Sequence, residues 1–257
     1  MKPWIDRKVL LRGARAFIRE YGSFIRSHAK RISSLVEIAI YNSIVSYYDE
    51  EGYTLKVKNL GPRKSFRYKL SPTGLIENFS YFEAISPDAT ATLQILHNTK
   101  IQSAHNERLY YTPDVVVCEE DGAVTRKLKG SRKDSYIINK HLITFVEIKH
   151  LVPFPEVLFS FTGLVQEFAP TFITGTVSSA DKGHLTPMIV FTGVPSKHAE
   201  RIKKALTKRY GINIVYGTEK TDGKIAAFDT LSKYSGPSSR TKRKGRLISA
   251  RVRKKRT

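Results

Sequence analysis

Apolar residues recur at helical spacing in four stretches of this chain, with short β-favouring runs between them. Between positions 4 and 26, Trp4, Val9, Leu10, Ala14, Phe17, Ile18, Tyr21 and Phe24 alternate with Arg7, Lys8, Arg12, Arg15 and Arg19. This predicts a basic amphipathic helix within a segment spanning 1–28. The run AKRISSLVEIAIYNSIVSYY predicts a second helix over 29–48, with Leu35, Ile38, Ala39, Asn42 and Val45 on one stripe and Gly52 beyond its end. Strand-like pieces follow at 53–60, 66–70, 79–85 and 91–101, separated by Gly-Pro, Ser-Pro-Thr-Gly and Ser-Pro-Asp turn signals that suit an antiparallel start to a sheet.

DVVVC at 114–118 is a short, strongly β segment, followed by an EEDG turn and a polar, basic excursion, RKLKGSRKDSY. The chain returns as β-favouring runs at 136–138 and 142–149. EVLFSFTGLVQEF predicts a helix over 156–168, and PMIVFTG a buried strand over 187–193. A helix over 196–211 has a Ser196 cap and a terminating Gly211, and INIVYG at 212–217 reads as the strand after it. Antiparallel strands followed by alternating helices and strands predict an α/β fold bordering on α+β, a mixed β-sheet flanked by helices over 29–232.

From 233 the character changes. Residues 240–257 hold ten Lys or Arg and no acid, which predicts a disordered basic tail over 233–257. The 257 residues carry a formal charge of +21 and a sequence pI near 10.0. Without the ten positive charges of 240–257 the remainder still carries +11, so the expected partner is a polyanion, nucleic acid first. Cys118 is the one cysteine, so no disulfide can form within the chain. No apolar run reaches the length of a membrane span and no signal-peptide pattern opens the sequence, so the expectation is a cytoplasmic protein, nucleoid or nuclear if it acts on DNA, with no membrane partner.

The chemistry concentrates in ITFVEIKHL, residues 143–151. Alternation along a strand puts Glu147 and Lys149 on one face, about 7 Å apart, and Val146 and Ile148 on the other. One reading is a structural ion pair. Upstream, however, TPDVVV places Asp114 at the head of another apolar strand, and pairing of the two strands would bring Asp114 to Glu147. Two converging carboxylates repel unless a cation lies between them, and oxygen ligands suit a hard ion, Mg²⁺ first and Mn²⁺ as substitute. Lys149 beside them could orient water or offset charge building on a phosphate, so the set predicts metal-assisted phosphodiester hydrolysis. Asp6, Asp88 and Asp222 supply fragments of the same pattern but sit in a helical pattern or in turns.

Asp114 after Pro113, then thirty-two residues, then Glu147, Ile148 and Lys149, resembles the signature of the PD-(D/E)XK nuclease superfamily. The resemblance implies a restriction-endonuclease-like core, Asp114 and Glu147 as metal ligands, the Ile148 carbonyl completing the shell, and Lys149 as the catalytic lysine. Family members often add an acid from the helix before the core sheet, and Glu37 occupies that place. The long insertion between the motif halves contributes Arg126, Lys127, Lys129, Arg132 and Lys133, which, with Arg240, Lys242, Arg243, Lys244, Lys254, Lys255 and Arg256 in the tail, are the expected nucleic-acid contacts. DNA is the superfamily's commoner substrate. Gln166 and His150 read as surface or structural residues.

The alternatives are an inactive nucleic-acid-binding scaffold with the same fold and a basic membrane-surface protein, for which the tail offers only Leu247, Ile248 and Val252 as anchors. No P-loop, zinc-finger or helix-turn-helix pattern is present, so an ATP-driven step would need an ATPase partner and sequence reading has no evident module. Dimerisation is common for nucleases that cut both strands. Deleting 234–257 should weaken nucleic-acid binding and flatten its salt dependence, because fewer phosphate contacts release fewer counterions. Binding titrations across a salt series check this.

Overall fold

The computed structural model describes residues 32–127, 133–175 and 184–216. The helix expected within 1–28, Lys129, Arg132 and the tail from 233 with its basic positions lie outside the described residues.

The first helix, α1 (Ile32–Glu50), is longer than a surface helix needs to be and is apolar nearly all round. Ile38, Tyr41, Ile44 and Tyr48 are fully buried, so it lies in the core and not over it. It ends as predicted, with Gly52 at a φ of 88° that a side chain would resist, and the N–H groups of Gly52 and Tyr53 closing onto the carbonyls of Asp49 and Tyr48.

Strands β1 (Thr54–Lys58), β2 (Tyr81–Ile85) and β3 (Thr92–His97) then pair antiparallel in turn. Farther along the chain lie β6 (Val115–Glu119) and β9 (Leu142–Lys149), then β10 (Met188–Phe191) and β11 (Asn213–Tyr216). These seven form one sheet in the order β1-β2-β3-β6-β9-β10-β11, antiparallel as far as β9 and parallel beyond it. The parallel half has the crossovers such strands require: α2 (Pro155–Phe168) and the short α3 (Thr171–Thr174) between β9 and β10, and α4 (Lys197–Arg209) between β10 and β11. Ser196 caps α4 by accepting from the Ala199 N–H.

Side chains alternate across this sheet into two cores. Val115, Val117, Val146 and Ile148 pack with α1, while Val116, Phe145, Ile189 and Ile214 pack with α2 and α4. Helices therefore cover both faces, and the fold is mixed α/β with two mixed sheets and four helices among the described residues. No described helix is long and apolar enough to cross a membrane.

Three expectations change. The run 91–101 is not one strand: Asn98, at a φ of 47°, breaks it, and β4 (Lys100–Gln102) leaves for a second sheet. That sheet, in the order β5-β4-β8-β7, includes β5 (Tyr110–Tyr111) and turns the expected excursion into a hairpin of β7 (Ala123–Lys127) and β8 (Lys133–Ile137). The segment 66–70 is not a strand either. Phe66 and Tyr68 are buried, but Arg67 exchanges its backbone bonds with the Ser80 hydroxyl and N–H in place of a ladder.

Candidate functional site

The last antiparallel pair of β6 and β9 sets Val115 opposite Val146. One step further, the same register would set Asp114 opposite Glu147, with Glu37 of α1 within electrostatic reach of both. Here β6 has already ended. The Ile148 N–H, which would otherwise have met a strand carbonyl, donates instead to Asp114 Oδ2 at 2.6 Å. On an extended strand a residue's N–H and C=O point to the same side, so the Ile148 carbonyl also faces the gap where the two strands part. The position is the C-terminal end of β9, where the antiparallel half of the sheet meets the parallel half.

Glu147 is held at both carboxylate oxygens. Lys149 donates to Oε1, and the Tyr111 hydroxyl donates to Oε2 at 2.6 Å. The Glu147 side chain is 5% exposed and that of Lys149 37%, so the pair leads from the core out to solvent. Burial, with the Glu147 charge beside it, keeps the Tyr111 hydroxyl protonated far beyond its ordinary range.

Asp114 is pushed up to about 7, first by burial, then by Glu147 and to a lesser degree Glu37, against the opposing Ile148 N–H and Lys149. Glu37, on α1, is also raised, chiefly by burial, with Glu147 adding to it and the Asn98 side chain and Lys149 working against it. Three carboxylates thus share the field of one ammonium. A structural ion pair between Glu147 and Lys149 accounts for one of them and leaves Asp114 unexplained.

The Asn98 turn fixes this corner from behind. Its N–H donates to the Asp114 carbonyl at 2.9 Å, and its side-chain amide donates to the Lys69 carbonyl at 3.0 Å. Lys69, only 4% exposed, returns its ammonium to the carbonyls of Asn98 at 2.5 Å and Ser71 at 2.8 Å. Burial lowers that ammonium to about 8, and burial holds neighbouring His97 neutral, down at about 3. The loop ahead of β5 is anchored on α2, where Ser103 bonds to Glu167 and the Ala104 N–H donates to the Glu167 carbonyl. That anchorage sets where Tyr111 reaches.

The structure brings Asp114, Glu147, Ile148 and Lys149 together, and Glu37 enters their field from α1. Two carboxylates and a backbone carbonyl are the donor types a hard divalent ion takes, and Asp114 Oδ1 is left over once Oδ2 serves Ile148. Among the described residues, however, no group of three or more His, Cys, Asp or Glu side chains is arranged to hold a metal. Glu37 lies within electrostatic reach of Asp114 and Glu147. Gln166 is exposed and accepts at its carbonyl from His105. His150 is exposed and bonded to Thr192. Of the basic positions, Arg126, Lys127 and Lys133 are exposed. Tyr111, Asn98 and Lys69 were not foreseen; the only trace of Tyr111 is an aromatic pair just ahead of Pro113, and of Asn98 a turn-forming residue inside an apolar run.

Because the folded Asp114 carboxyl titrates above its unfolded value, its contribution to stability is greatest below about pH 4, falls as pH rises to about 7, and is flat above. Asn at 114 keeps an acceptor for the Ile148 N–H and removes the charge. In EDTA at pH 8, Asp114→Asn should therefore be more stable than wild type, by roughly 1–3 kcal/mol, and the gap should close near pH 4. Urea unfolding at the two pH values measures it, and a destabilised variant at pH 8 would contradict the account. No protein-family model, curated protein or solved structure matches this chain, so what the site can do has to follow from these residues.

Proposed function

We propose that this chain is a metal-dependent nuclease of the PD-(D/E)XK type, with a restriction-endonuclease-like core, that hydrolyses phosphodiester bonds in nucleic acid, DNA being the favoured substrate. The observation that carries the reading is the meeting of Asp114 and Glu147 where β6 and β9 part, with the Ile148 N–H on Asp114, Lys149 on Glu147 and a strongly basic chain around them. Asp114 and Glu147, with the Ile148 carbonyl, would hold Mg²⁺ or Mn²⁺. Such an ion supplies charge stabilisation at a phosphoryl oxygen and acidifies bound water.

The remaining work falls to the chain. Lys149, at the solvent end of the ion pair, is placed to orient the attacking water or to offset charge on the phosphate. Tyr111 fixes the Glu147 carboxylate, and the Ile148 and Asn98 N–H groups fix Asp114. Exposed Arg and Lys residues supply binding energy through phosphates, which makes affinity salt-dependent and separable from cutting. A second reading, a scaffold that binds nucleic acid without cutting it, draws on the same net charge of +21, which serves binding whether or not the chain cuts.

Cleavage of plasmid DNA, single-stranded DNA and structured RNA with Mg²⁺, Mn²⁺ or EDTA separates the two. Wild type should cut in a metal-dependent manner, Asp114→Ala and Glu147→Ala should bind but not cut, and Lys149→Ala should lose roughly 10²–10³-fold in rate. Retained cutting by Asp114→Ala would overturn the assignment, and binding without cutting by wild type on all substrates would favour the scaffold.

A further inference from the structure

We infer that the outer face of the second sheet is a binding platform for single-stranded nucleic acid. In that sheet Arg126 pairs with Asp134, Val124 and Lys100 both pair with Tyr136, and Gln102 pairs with Tyr110. Alternation puts Tyr110, Tyr136, Arg126 and Lys100 on one face, while Ile101 and Ile137 on the other are buried in the core shared with α2. The two tyrosine rings, half-buried, meet edge to face at 5.0 Å. The exposed Arg126 guanidinium lies 4.8 Å from one ring centroid and 4.9 Å from the other.

Rings and guanidinium together form a surface on which a base can stack, the means by which proteins hold unpaired strands without reading their sequence. A duplex keeps its base faces inside its own stack and cannot use it. Arg126 brings positive charge to this face; of the acids there Asp134 is already paired with Lys100 at 2.6 Å, leaving Glu107 near Tyr136, while Lys127 and Lys133, the next pair along the hairpin, project from the other face at its exposed tip. The platform also adjoins the acidic centre. Tyr110 and Tyr111 are consecutive on β5, and Tyr111 reaches through the sheet's other side to Glu147. This deepens the nuclease reading by naming its substrate class, a nucleic acid with an unpaired segment, and rests on that reading only for the consequence that a strand held here is one to be cut.

Binding is measured on the full chain in EDTA at about 200 mM salt, where phosphate contacts are weakened, by anisotropy of labelled single-stranded DNA, single-stranded RNA of the same sequence and the blunt DNA duplex. The double variant Tyr110→Leu with Tyr136→Leu should lose single-strand affinity roughly 5- to 100-fold and leave duplex affinity unchanged. The double variant Tyr110→Phe with Tyr136→Phe keeps the rings and should bind as wild type, which separates stacking from misfolding. Whichever single strand suffers the larger loss identifies the sugar. Unchanged single-strand binding by the Leu variant, equal losses on single strand and duplex, or loss in the Phe variant would each overturn the platform. Since no metal is present, a protein that never cuts can still pass this test, and one that cuts can fail it.

Discussion

Asp114 and Glu147 face each other because the antiparallel register of β6 and β9 leaves them no other place, and they do so at the point where the ladder has run out of backbone partners. Two neighbouring carboxylates, largely withdrawn from water, repel with an energy that water screens only weakly. The single ammonium of Lys149 balances one of them. The cost appears in Asp114, whose carboxyl is driven up to about 7 by burial first and by Glu147 second. The fold tolerates this cost only because the surrounding cores are large: β6 and β9 are buried on both faces, by α1 on one side and by α2 and α4 on the other.

The corner is over-determined in a way that suits a preorganised site. Asp114 is held at its side chain by Ile148 and at its backbone by Asn98. Asn98 adopts a left-handed conformation, and buried Lys69 crosses the turn to satisfy its carbonyl. Glu147 is held from two directions by Lys149 and Tyr111, the latter from a different sheet. Such clamping restricts each carboxylate before anything binds, so less ordering remains to be done on binding. The same turn at Asn98 that secures Asp114 also ends β3 and sends the chain into the second sheet, so the acidic centre and the aromatic face beside it share one structural cause.

Much of this was legible in the sequence, and the rest fails for definite reasons. The bounds of β9, the capped α4 and the Gly52 stop were readable because they depend on local periodicity, a serine cap and glycine's freedom at positive φ. The approach of Asp114 to Glu147 was also readable as a consequence of pairing between their two apolar strands, and β6 and β9 do pair. The break at Asn98 was not, because an apolar run on both sides hides a single residue whose conformation is set by Lys69 and Asp114 contacts from 29 and 16 positions away. The β7–β8 hairpin was hidden by Arg126, Lys127 and Lys133, which are exposed on both of its faces and leave no apolar alternation to read. Tyr111 leaves only an aromatic pair ahead of Pro113 as a local trace, because its role is a hydrogen bond across 36 positions of sequence.

The most direct test of the central claim is calorimetric titration of Mn²⁺ into the metal-free full-length protein, compared with Asp114→Asn and Glu147→Gln. If the two carboxylates form a cation site, wild type binds the ion and each variant, which keeps the shape and hydrogen-bonding atoms but loses one charge, binds it at least about tenfold more weakly, a difference of roughly 1.4 kcal/mol. A wild-type protein that takes up no Mn²⁺, or variants that take it up equally well, would contradict the account.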